Sequence, residues 1–229
     1  MRLFKILSII LPMAGAFAYL AAIGANDPAV QPKQGFTIHY ETYMTHQGQR
    51  LVAGEATRFV SESGDFREIN KDWLVSDGKV RTQETIGDAD GVFWLSPDGA
   101  LELVAGANKG FAEYRSEAWL ATHAVRTERF LGYECYVFRQ GDDIAYEERW
   151  YSPIFGDVEL KELIVRPDGE RMREAVAIDL NEPQTELLKK PDKPVQFDII
   201  EQKINLTKKE GKPERAAALE EAAAKFKAK

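Results

Sequence analysis

From residue 35 onward the chain is a succession of short runs in which apolar and polar positions alternate, each closed by a turn signal. Phe36, Ile38 and Tyr40 alternate with Thr37, His39 and Glu41 before the turn His46-Gln47-Gly48-Gln49. The same period predicts strands over 51–61, 66–69, 79–86, 92–95 and 100–104, with joints at Ser63-Gly64-Asp65, Ser76-Asp77-Gly78, 88–91 and Ser96-Pro97-Asp98-Gly99. Asp-Gly and Pro-Asp-Gly supply the positive φ that tight hairpins need. Joints recur about every 10 to 12 residues with no helical stretch between them, the spacing of an antiparallel meander rather than of βαβ units.

A second block predicts strands over 126–131, 133–140, 144–151, 158–165 and 171–180, connected in part by Gly141-Asp142-Asp143 and Arg166-Pro167-Asp168-Gly169. In the third of these, Ile144, Tyr146, Glu148 and Trp150 share one face and Ala145, Glu147, Arg149 and Tyr151 the other. In the last, Met172, Val176, Ile178 and Leu180 oppose Arg171, Arg173 and Asp179. One face per strand is mostly apolar, which predicts a covered side and a wet, charged side.

Between the blocks the period changes. Phe111, Tyr114, Ala118, Ala121 and Val125 fall on one face of a helix over 108–125, the natural cover for one concave side of the sheet. Residues 182–188 read as a helical turn. Residues 213–229, rich in Ala, Glu, Lys and Leu, form helix readily but lack a wide apolar face, so a frayed, solvated helix is expected; docking of its lysines to a membrane or partner is the alternative.

At the other end, Arg2 and Lys5 precede an apolar run over 6–23, followed by small residues up to Ala25. A basic start and an apolar stretch read as an export signal, and the run's length, close to the roughly 20 residues of a membrane-spanning helix, keeps an uncleaved anchor open. The chain therefore divides into a signal peptide or anchor (1–25), a linker (26–34), a β domain (35–192) and a basic, partly helical tail (193–229).

Composition narrows the chemistry. The 229 residues carry a net charge of −7, which argues against nucleic acid as a partner. One cysteine excludes a disulfide framework, and His39, His46 and His123 show no spacing for a local metal pair. Glu147 and Glu148 are neighbours on a strand, so they point to opposite faces and cannot share a substrate; Glu148, on the apolar face, needs a salt-bridge partner. Cys135 reads as a buried structural residue. The sequence holds no nucleophile elbow, phosphate loop or dinucleotide motif, and assigns no catalytic residue, metal or cofactor.

The order Leu131-Gly132-Tyr133-Glu134-Cys135-Tyr136, then Trp150-Tyr151-Ser152-Pro153, Gly156, Arg166-Pro167-Asp168-Gly169 and Glu182-Pro183 resembles the C-terminal half of exported bacterial domains of the outer-membrane lipoprotein carrier (LolA/LolB-like) superfamily. The resemblance implies a mainly β, α+β fold: a curved antiparallel sheet forming an incomplete barrel, with helices over its concave side. It also implies a non-catalytic periplasmic protein whose apolar cavity holds an acyl chain or a lipidated partner; membrane contact through the N-terminal segment is the separate expectation of the apolar run over 6–23 if it is not cleaved. Ile144, Tyr146 and Trp150 are the candidate cavity-wall residues. The alternatives are an envelope interaction or stress-sensing module with a filled core, and an extracytoplasmic enzyme.

Overall fold

The computed structural model describes residues 35–46, 48–73, 79–96, 99–106 and 116–227. The expected export segment and linker, and the first half of the helix expected over 108–125, lie outside the described residues. Twelve strands form one sheet: β1 (Phe36–His46), β2 (Gln49–Val60), β3 (Phe66–Asp72), β4 (Arg81–Gly87), β5 (Val92–Leu95), β6 (Leu101–Ala105), β7 (Arg126–Phe130), β8 (Tyr133–Gly141), β9 (Tyr146–Tyr151), β10 (Glu159–Arg166), β11 (Gly169–Asp179) and β12 (Val195–Gln196). Their order is β12-β6-β5-β4-β3-β2-β1-β11-β10-β9-β8-β7, an incomplete barrel whose edges, β12 and β7, do not meet. The two blocks read from the sequence are two meanders, joined where β1 pairs with β11.

Local chemistry explains the hairpins. Leu131 and Gly132 both have positive φ, 51° and 87°, as a two-residue turn compatible with strand twist requires. Asp142 accepts from the amides of Ile144 and Ala145 (2.8 and 2.7 Å), and this turn keeps Ile144 out of the ladder, so β9 begins at Tyr146 instead of at 144.

Three expectations change. First, β12 runs parallel to β6, through Val195 opposite Leu101, which makes the sheet mixed. Second, the insert's helix, α1, spans Glu117–His123, capped by Ser116, and buries Leu120 rather than the expected stripe. Ala118 and Ala121 are exposed, and Val125 is 57% exposed just before β7. The sheet decides this: Tyr136, Tyr151 and Phe138 offer an aromatic seat that accepts Leu120 and Trp119.

Third, the tail docks on the sheet through one side, although most of its last helix remains exposed. After α2 (Thr185–Leu188), helices α3 (Asp198–Lys209) and α4 (Pro213–Lys227) form a hairpin on β6 and its neighbours. Ile200, Ile204 and Ala223 are buried against Ile86, Phe93, Leu101 and Leu103, Ala216 is also buried, and Phe226 meets Phe93 edge-on at 5.4 Å. Alanines pack α4 closely without a broad apolar stripe, which is why its pattern reads as solvated. A larger core links Phe36, Ile38, Val60, Phe66, Phe155 and Leu160.

Candidate functional site

Register places a set of charged side chains on a single face. Arg149 lies opposite Glu162, Glu162 opposite Arg173, and Arg173 opposite Thr42 of β1. Thr42 pairs with Gly54, while Tyr40 pairs with Ala56 and Ala175, and Arg58 with Ile38 and Glu68. By the two-residue period, Arg58, Glu68, Arg149, Glu147, Glu162, Arg171 and Arg173 all share this side with Phe36, Ile38 and Tyr40.

This face is the inside of the curve. Arg173 on β11 reaches Glu68 on β3, Nη2 to Oε1 at 3.0 Å. With β1 and β2 between them, those strands would lie about 14 Å apart in a flat sheet. Two side chains close that gap when the sheet bends toward them and the intervening positions are small, as Ala56 and Gly54 are. Tyr40 likewise spans β11 to donate its hydroxyl to the Glu159 carbonyl at 2.9 Å. On the opposite face of the same strands, His39, Glu55 and Lys71 are exposed.

The floor so formed has two clusters. In one, Glu68 accepts from Arg58 Nη1 (3.2 Å) and Asn70 (3.0 Å) and is paired with Arg173. Burial by itself would raise the Glu68 carboxyl, but the fields of Arg173 and Arg58 and the hydrogen bonds outweigh it and hold the pKa down at about 2. The guanidinium planes stack on rings, Arg58 on Phe66 at 4.3 Å and Arg173 on Tyr40 at 4.1 Å. In the other cluster, Arg149 binds Glu147 and Glu159, with Glu162 at 3.5 Å, and Arg171 binds Glu162 at 3.0 Å. Tyr151 donates to Glu159 at 2.8 Å. Burial and the nearby Glu159 and Glu147 raise the Glu162 pKa, against the pull of Arg171 and Arg149.

The sequence reading took the Arg171/Arg173 face of β11 as its wet side. The structure turns that face inward and leaves Val176 and Leu180 exposed. A bulge between His39 and Tyr40 shifts the β1–β11 register, bringing Ile178 onto the inner side together with Ala175, which follows Arg173 on that face. The available signal was charge complementarity between strands that the meander places side by side, with alanine and glycine between them.

Of the residues singled out from the sequence, Trp150 belongs to the same buried core cluster as Phe36, Ile38 and Tyr40. Tyr146 and Trp150 share the face of β9 opposite Arg149, while Ile144 sits in the preceding turn, 70% exposed. Tyr146 lies under Arg139 at 4.0 Å. Trp150 is buried, donates its indole N–H to Glu128 and has Lys161 over its ring at 5.0 Å. Glu148 has the salt-bridge partner it needs: Arg126 grips it with two bonds of 2.9 and 2.8 Å and lowers its pKa. Glu147 and Glu148 point to opposite faces. His39 meets Thr57 at 3.1 Å, and His123 stacks on Trp119 at 4.2 Å, so neither is brought to Glu148. His46 ends β1. Cys135 is buried, and burial pushes its thiol up to about 11, which keeps it protonated at neutral pH. Among the described residues no three His, Cys, Asp or Glu side chains are grouped to hold a metal.

No family model and no curated protein matches this sequence. Solved structures of similar chain path were found. The LolA superfamily protein NE2245 from Nitrosomonas europaea is 10% identical at a TM-score of 0.35, with 69% of this chain and 91% of that one covered. LprF from Mycobacterium bovis is 9% identical at 0.31, with 67% and 90% covered. PNGF-II is 13% identical at 0.45, with 72% of this chain covered; the chain spans 32% of PNGF-II's length. At such identities and scores the likeness is one of general chain path and transfers no residue role.

Proposed function

We propose that this protein is a non-catalytic, extracytoplasmic binding module that holds an acylated ligand, a lipid or a lipidated partner, along the concave face of its sheet. The observation that carries the reading is the inner face of β1–β3 and β9–β11. It is curved and shielded; among the described helices α1 packs on this side at its β8–β9 end, where Leu120 meets Tyr136 and Tyr151, and the others pack elsewhere. Helix α1 sits on β8, α2 lies beside β2 and β3 where Arg67 on the outer face meets the Leu187 carbonyl, and α3 and α4 cover the outer side of β4–β6. Paired charges along the floor favour contact with the ligand's polar end, and the acyl chain is assigned to the apolar flanks of the trough. Export follows from the charged and apolar pattern of residues 1–25, and no helix of the described residues is long and apolar enough to cross a membrane.

Native mass spectrometry of the full chain purified from the cell envelope tests this. The expected result is a co-purified mass in the range of a lipid or lipopeptide, lost on organic extraction. A chain that carries no adduct and takes up no added amphiphile would leave a filled interaction domain. A reporter fused after Lys229 is expected to be active outside the cytoplasm; activity inside it would remove the export assignment.

A further inference from the structure

We infer that Arg58 and Arg173 form an anion subsite in the inner floor, which takes the phosphate or carboxylate end of the ligand; the inference rests on the trough reading above. Two guanidinium groups pair with one carboxylate, Glu68, at this end of the floor, a local ratio of two cations to one anion, with Glu162 of the other cluster opposite Arg173 on β10. At the other end the balance reverses: Glu147, Glu159 and Glu162 outnumber Arg149 and Arg171. The floor therefore has a cationic and an anionic end, and an anion entering the trough is drawn to one and repelled from the other.

Hydrogen bonding points the same way. Stacking on Phe66 and Tyr40 occupies the faces of the two guanidinium planes and leaves the donors at their edges. Arg58 Nε and Arg173 Nε are buried and make no hydrogen bond, while Arg173 Nη2 is held by Glu68 at 3.0 Å. Buried donors left unpaired are costly, and in the interior of a folded protein they are rare. An oxyanion bridging the two arginines would satisfy them with charge-assisted bonds, the geometry for which arginine is suited. Glu68 occupies part of this edge as a built-in competing anion.

Calorimetric titration of the full chain with dodecyl phosphate, dodecanoate, dodecyl maltoside and inorganic phosphate, each below its micellar concentration, tests the subsite. Dodecyl phosphate and dodecanoate are expected to bind at least about tenfold more tightly than the uncharged maltoside, the scale of one charged hydrogen bond. Arg173→Gln should weaken dodecyl phosphate about tenfold and leave the maltoside unchanged. Glu68→Gln, which removes the internal competitor, should tighten it. Should Arg173→Gln fail to fold, Arg58→Lys, which keeps the charge but loses the Nε edge, replaces it. Equal binding of the phosphate and the maltoside, with no response to Glu68→Gln, overturns the subsite and leaves the trough standing. Absence of binding by every amphiphile removes both. Inorganic phosphate binding as tightly as dodecyl phosphate, and weakened equally by Arg173→Gln, upholds the subsite and identifies its source as a free anion.

Discussion

The outer side of β4–β6 and the inner side of β1–β3 with β9–β11 belong to one sheet, yet they are built on opposite principles. Outside, Ile86, Phe93, Leu101 and Leu103 are sealed by the helical hairpin of α3 and α4. Inside, Arg58, Glu68, Arg149, Glu162 and Arg173 are shielded mainly by the bend of the sheet and by one another. The apolar surface gains by exclusion of water and so depends on its cover. The charged surface depends on pairing, and an incompletely paired charge is available to a ligand. The difference separates a region that stabilises the fold from one that can recognise something.

Removing the cover should have the largest effect. Deleting residues 213–229 uncovers Phe93 and α3, and is expected to lower the melting temperature by at least about 10 °C, measured by circular dichroism, since each lost kcal/mol is worth about 2–4 °C at this size. An unchanged melting temperature would mean the hairpin does not seal the sheet. Phe93→Ala, which empties the centre of the same region, should cost about 3–5 kcal/mol in denaturant unfolding.

Substitutions in the floor should be smaller and dependent on pH. Glu68 has its pKa lowered from 4.5 to about 2 on folding, so its ionised form stabilises the protein above the unfolded value, and that stability is lost as the pH falls from 4.5 toward 2. The contribution is on the order of 3 kcal/mol, and Glu68→Gln should both lose it at neutral pH and flatten the acid limb of the stability profile. An acid limb that is the same in both proteins would refute the pairing. Glu162 has the opposite sign: its pKa is raised, so its favourable contribution is complete below the unfolded value and fades as the pH rises through the folded one. Glu162→Gln should therefore gain on the wild type as the pH increases, the smallest of these effects and readable only as a difference in melting temperature across the pH range.

Much of the fold was legible because its signals are local. The alternation of Phe36, Ile38 and Tyr40, the turn at Leu131-Gly132 and the joints at Ser63-Gly64-Asp65 and Arg166-Pro167-Asp168-Gly169 act over a few residues, and the strands fall close to where these place them. The separation of Glu147 from Glu148, the partner that Glu148 requires and the burial of Cys135 follow equally from strand geometry and desolvation. Helix α4 was misread because alanine buries through closeness of approach, a property of the surface it meets rather than of its own periodicity. The candidate site was missed for a related reason: a row of arginines and glutamates has the same pattern whether it faces water or the inside of a curve.

The sequence alone therefore determined the strands of the two meanders, most of their hairpin joints, the side of each strand on which a residue lies wherever no bulge intervenes, and the acidic, single-cysteine character that excludes whole classes of chemistry. Tertiary structure decided which of the two sides became the inside. That choice depends on the β1–β11 pairing and its bulge, and on small residues such as Ala56 and Gly54 that let Arg173 lie across the intervening strands to Glu68. These contacts join positions about a hundred residues apart, Glu68 and Arg173 among them, and no local period can encode them because their energy exists only once the sheet has closed between them.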